Sequence, residues 1–88
     1  MDYILVHHRV KDFRQWKLVY DEDLSTRQQA GIKDVQVLHA PGDPNDLTLL
    51  FEAVDLPKAQ AFTESAHLKE AMNKAGVLGD PEMTYLKD

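Results

Sequence analysis

Cysteine is absent from this 88-residue chain, so no disulfide can brace the fold and no zinc site built on thiolates can form. Positive charge is in deficit: 10 Lys and Arg stand against 15 Asp and Glu, giving a net charge of −5 and a pI near 5.2. The basic residues are scattered and form no stripe that could follow a phosphate backbone, which argues against nucleic acid as a partner. No apolar run approaches the ~18 residues of a membrane helix. The opening MDYILVHHRV shows strand-like alternation with no basic leader ahead of an apolar stretch. A glycine-rich phosphate loop, a nucleophile elbow and a reactive thiol are also missing, so nucleotide-dependent and thiol chemistry are disfavoured. The expected setting is cytoplasmic, without a membrane.

What remains is an ordinary folded composition, 43% hydrophobic and 28% charged. The length fits one domain, 1–88. A chain this short buries only roughly 60–65% of the surface its unfolded form exposes. Self-association is therefore an attractive way to bury more.

The stretch from Asp46 to Val77 organises the rest. Leu47 to Val54 is an apolar run of strand length, with Leu47, Leu49, Phe51 and Ala53 on one face and Thr48, Leu50, Glu52 and Val54 on the other. Asp55 caps a helix that tolerates Pro57 in its first turn and points Ala59 and Phe62 to the core. The apolar register then slips at Ser65, a second cap, and restarts with Leu68, Ala71, Met72 and Ala75. Gly76 and Val77 read as a Schellman ending. Gly79-Asp80-Pro81 reads as a turn before a short last strand, Met83 to Leu86.

Residues 3–10 alternate, with Ile4, Val6, His8 and Val10 on one face and Tyr3, Leu5, His7 and Arg9 on the other. Asp12 and Gln15 form an acidic capping box. Phe13, Trp16, Tyr20, Leu24 and Arg27, widened by Val19, then mark one helix ending near Gly31. Asp21-Glu22-Asp23 reads as its solvated face. Val35 to Ala40 is a second strand, and Pro41 to Asp46 a hairpin loop of several residues. Asp43, Asn45 and Asp46 lack the Glu and spacing of a calcium loop, so a plain turn is expected and no metal site.

The order β-α-β-β-α-β, with right-handed crossovers, predicts an α+β ferredoxin-like fold: a four-stranded antiparallel sheet with two helices on one face. The other face carries too much apolar bulk to stay open, so two sheets packed as a two-fold homodimer are expected.

Three segments, HHRVKDFRQWK (7–17), HAPGDPNDLTLLFEAVD (39–55) and SAHLKEAMNKAGV (65–77), together resemble the dimeric α/β-barrel superfamily, in its antibiotic-biosynthesis-monooxygenase-like group. The resemblance implies a pocket between sheet and helices, and a small cofactor-independent monooxygenase acting on a hydrophobic aromatic or polyketide-type molecule. The alternative is a dimeric barrel that binds a small molecule, or acts as an accessory protein, without turnover. Fold alone does not choose.

Candidate pocket residues by side-chain type are Tyr3, Trp16, Tyr20, Phe51, Phe62, His67 and Tyr85. The aromatics among them also fit simple core packing. His7, His8 and His39 are candidate bases near neutral pH. As strand neighbours, His7 and His8 point to opposite faces and cannot share one pocket within a subunit. Tyr3, Tyr85 or Arg9 could donate hydrogen bonds. Haem-degrading members of the superfamily use a helix histidine, as His67 would be here, with partner Asn and Trp residues. The sole Trp lies on the first helix and the first strand holds no Asn, so no cofactor is expected and haem is the minor alternative.

Overall fold

The computed structural model describes residues 1–88. The elements are β1 (Asp2–Val10), α1 (Phe13–Glu22), α2 (Leu24–Gln29), β2 (Ile32–Ala40), β3 (Asp43–Ala53), α3 (Leu56–Thr63), α4 (Ala66–Ala75) and β4 (Val77–Lys87). The strands form one antiparallel sheet in the order β2-β3-β1-β4. This is the α+β ferredoxin-like plan, with the second helical segment broken at Ser65 as expected and the first divided in two as well.

Register converts the two-residue period of the strands into two distinct faces. Ile4 lies between Phe51 and Tyr85, Val6 between Leu49 and Met83, and His8 opposite Leu47. These rows carry the core, where Ile4, Val6, Leu47, Leu49, Phe51 and Ala53 are all buried. The alternate rows set Leu5 between Leu50 and Thr84, and His7 between Thr48 and Glu82. They form the uncovered face.

Local chemistry fixes the helix ends. Asp12, Asp55 and Ser65 each accept a bond from a first-turn amide, of Arg14, Lys58 and Leu68 respectively. Gly76 ends α4 with φ +79°, a left-handed conformation that favours glycine. Gln15 does not complete a capping box; its Nε2 reaches the carbonyl of Lys74 instead, at 3.4 Å. The first helix breaks at Asp23 rather than running on to Gly31. Aspartate is a poor helix-interior residue, and here its side chain is engaged by His67 at 2.9 Å.

Three further boundaries differ from the sequence reading. β2 starts at Ile32, earlier than Val35, and shifts register between Asp34 and Gln36. The last strand is 11 residues long, because Gly79 (φ +67°) sits in a register shift within the strand rather than a turn before it. The hairpin loop shrinks to Pro41 and Gly42, and β3 begins at Asp43.

Extended pairing there is possible because the polar side chains find partners. Asp43 pairs with Arg9 and Asp46 with His7, each at 2.6 Å. Asn45 Oδ1 accepts the amide of Phe13 at 2.8 Å, which ties the hairpin to the start of α1. No group of three or more His, Asp or Glu is gathered in a way that could hold a metal ion. Replacing Asn45 with Ala orphans that helix-start amide, so urea unfolding should show a loss of about 1 kcal/mol.

Candidate functional site

Between the sheet and the helices lies a cavity of about 90 Å³. Its floor is the inner sheet face, with Ile4, Val6, His8, Leu49, Phe51 and Met83. Trp16, Val19 and Tyr20 of α1 form one wall, and Leu68, Ala71, Met72 and Ala75 of α4 the other. The apolar stripe after Ser65 is thus cavity lining as well as packing.

His8 is the one histidine inside. It is only 6% exposed, and its Nδ1 meets no hydrogen-bonding partner. Its ring lies 5.9 Å from that of Trp16. Burial lowers its pKa from the ordinary 6.5, and the neighbouring His7 adds to the effect, so His8 is neutral at pH 7. A neutral imidazole with an uncommitted nitrogen in an apolar chamber can accept a proton or a hydrogen bond from a guest.

A ladder of stacked groups stiffens the α1 wall. Trp16 stacks on Tyr20 with centroids 4.6 Å apart, and the Arg27 guanidinium lies 3.7 Å from the Tyr20 centroid. Arg27 is itself buried, at 6% exposure. Its Nε and Nη2 donate to the two oxygens of Asp34, both at 2.9 Å, and Nη1 donates to the Tyr20 carbonyl at 2.7 Å. Asp34 can meet it because Asp34 pairs with Phe51, in the row that faces the helices. Burial pushes the Tyr20 hydroxyl well above its usual range, and the Arg27 charge offsets only part of this. Sequence reasoning missed Arg27 as an ion-paired residue, although its place on the apolar stripe of the first helix was the available signal.

The partly exposed lining residues trace an opening along the seam between the helix pairs: Val19, Tyr20 and Asp23 on one side, Phe62, Thr63, Leu68, Ala71 and Met72 on the other. Asp23 is not on a solvated face as its acidic neighbours suggested. Its carboxylate accepts from His67 Nε2 of α4, and the His67 ring lies 6.4 Å from that of Phe62. Thr63 bonds the Tyr85 hydroxyl at 2.8 Å.

The structure therefore brings His8, Trp16, Tyr20, Phe51 and Phe62 together around one cavity, with His67 and Tyr85 at its rim. It places the others elsewhere. His7 lies on the uncovered face, bound to Asp46 and 3.8 Å from Glu82. Tyr3 shares that face, paired with Glu52 and Leu86, and the Asp88 carboxylate beside it raises its pKa. His39 is exposed on β2, its Nδ1 against the carbonyl of Ala40. His67, the histidine that the haem alternative would need, lies outside the cavity lining, its Nε2 engaged by Asp23.

A sheet of this order, with both helix pairs on one side and a cavity between, defines a ferredoxin-like α+β domain. Solved structures that share it include proteins named as antibiotic biosynthesis monooxygenases. A candidate enzyme of that name from Bordetella bronchiseptica aligns with a TM-score of 0.80 at 13% identity, over 99% of this chain and 95% of its own. Another from Deinococcus radiodurans gives 0.69 at 14% identity, over 100% and 92%. A conserved protein from Methanosarcina mazei gives 0.73 at 18% identity, over 98% and 90%. No family model and no curated protein matches the chain. At these identities the likeness is one of fold.

The buried His8 carries a pH signature. Its pKa is lower folded than unfolded, so below about 6.5 the unfolded chain takes up a proton that the folded one refuses. Stability is unaffected by His8 above that pH and falls as pH drops from there toward the depressed folded value. Urea midpoints of His8→Leu measured between about pH 7.5 and 5 should fall less steeply than those of the wild type.

Proposed function

We propose that this protein is a small cofactor-independent monooxygenase for a hydrophobic, electron-rich aromatic molecule, with His8 as its base. The observation that carries the reading is the uncommitted Nδ1 of a neutral, buried histidine in a largely apolar cavity. His8 takes a proton from a phenol or from the methylene of an anthrone-like ring system. The resulting anion is oxidised by molecular oxygen and combines with it. Loss of water from the hydroperoxide leaves a carbonyl, so one oxygen atom enters the product and the other leaves as water. The substrate supplies both electrons. Trp16, Tyr20, Phe51 and Phe62 hold the ring, and the dry walls protect the anion from reprotonation.

The cavity volume limits the guest. A dry cavity of about 150 Å³ accommodates benzene, and this one measures about 90 Å³. A polycyclic substrate enters only if the helix pairs move apart. A second reading, binding without turnover, draws support from the lowered proton affinity of His8, which makes it a weaker base. Oxygen uptake separates the two. Metal-free protein given electron-rich phenols or anthrones should consume oxygen, and His8→Leu should lower the rate by about 10²-fold or more, the usual worth of a general base. Saturable quenching of Trp16 without oxygen uptake would establish the binder instead.

The working unit in this proposal is a homodimer. Leu5 and Leu50 lie at the centre of the uncovered face, with Leu38 and Leu86, 46% and 44% exposed, toward its edges. His7, Glu52 and Glu82 supply a polar surround, the pattern of an association surface with an apolar centre. Light scattering at micromolar concentration should give twice the chain mass; a monomer would refute the dimer.

A further inference from the structure

The cavity is closed by few bonds, and they are unevenly placed. The polar ties joining the two helix pairs run between α1 and its flanks on one side and α4 on the other. At one end, Lys11 N donates to the carbonyl of Gly76 at 3.0 Å and Gln15 Nε2 reaches the carbonyl of Lys74. These involve main-chain atoms beside the sheet, where Asn45 also holds the start of α1. At the other end, where Asp23 and Phe62 line the cavity, the tie is the single bond from His67 Nε2 to Asp23 Oδ1. Between them stretches Lys74 Nζ to Glu22, an exposed pair at 3.3 Å whose members do not line the cavity.

We infer that the Asp23–His67 pair is a strap across the cavity mouth, and that its opening decides which molecules reach His8. Three features support this assignment. Asp23 stands where the first helix breaks, and its side chain makes no capping bond there, so it is free for His67. His67 sits in the first turn of α4 and packs against Phe62, a lining residue, so its release frees a wall of the cavity as well as a bond. The pair is also weak by construction. His67 keeps 56% of its side chain in water against 17% for Asp23, and a single hydrogen bond with one partner so exposed is readily broken and remade. A volume of about 90 Å³ is too small for a ring-sized guest, whereas parting of the strap widens the seam between Asp23 and Phe62 enough to admit one. The pair thereby selects by size and sets the entry rate. The inference takes the cavity to be a binding site, as the proposed function does, but needs no turnover.

Trp16, the sole tryptophan, lines the cavity and is 3% exposed, so collisional quenching by acrylamide reports whether the mouth opens. His67→Ala and Asp23→Ala should each raise the quenching constant by roughly two- to fivefold, the factor by which loss of one such hydrogen bond shifts an opening equilibrium. The double variant should show no further rise. His67→Gln, which keeps an N–H donor, should stay near the wild type. Lys74→Ala, which cuts the tie outside the cavity, should also stay near it. Unchanged quenching in both strap variants overturns the inference, and so does an equal rise in Lys74→Ala, which would mean general loosening of the helices. Asp23→Ala leaves the fold's caps intact and keeps the test readable if His67→Ala loses stability. None of these outcomes depends on oxygen uptake, so a failed strap and a failed monooxygenase give different results.

Discussion

The pairing of β1 with β3, in the register that sets His8 opposite Leu47, is the constraint on which the rest depends. A slip of one residue would turn β3 over against β1, exchanging Leu47, Leu49 and Phe51 for Thr48, Leu50 and Glu52 on the inner face. The cavity floor would become polar and the uncovered face aromatic. The register is held from both sides. Inside, Leu47 and Ile4 are almost completely buried. Outside, His7 with Asp46 and Arg9 with Asp43 pair across the same two strands.

Polar groups in the interior follow a second logic. Arg27 is buried as a cation, which is tolerable only because Asp34 and the Tyr20 carbonyl satisfy its donors. A pair of this kind adds little net stability against apolar replacements of equal volume, while loss of one partner alone is costly. What it does supply is position. The guanidinium fixes the face of Tyr20, Tyr20 fixes Trp16, and the α1 wall is rigid as a result. His8 differs in kind, being buried with one nitrogen unmatched. Buried polar atoms are nearly always paired, so the contrast between the two residues sets His8 apart as the group open to a guest.

Much of this was legible in the sequence because it rests on local chemistry. The faces of β1 and β3 follow from alternation, the break at Ser65 from a capping residue at a register slip, and the end of α4 from Gly76. The opposite directions of His7 and His8 need only the strand period, although which of them faces the helices needs the tertiary structure. The features that escaped depend on partners distant in sequence. Asp23 reads as one of three solvated acids until His67, 44 residues on, is brought to it. Asp43, Asn45 and Asp46 read as loop until Arg9, Phe13 and His7 are placed opposite. Arg27 fits an apolar stripe by spacing, and only the sheet reveals Asp34 beneath it.

The register shifts in β2 and β4 bear on how the sheet meets other chains. Both strands are edges, and a straight edge with free amides and carbonyls invites a further strand. On β4, Gly79 departs from the extended conformation and Pro81 has no amide to offer. On β2, the ladder is interrupted between Asp34 and Gln36, beside Lys33. Both borders are thus poor templates for a further strand. What meets the apolar face between such edges stacks on the sheet rather than extending it.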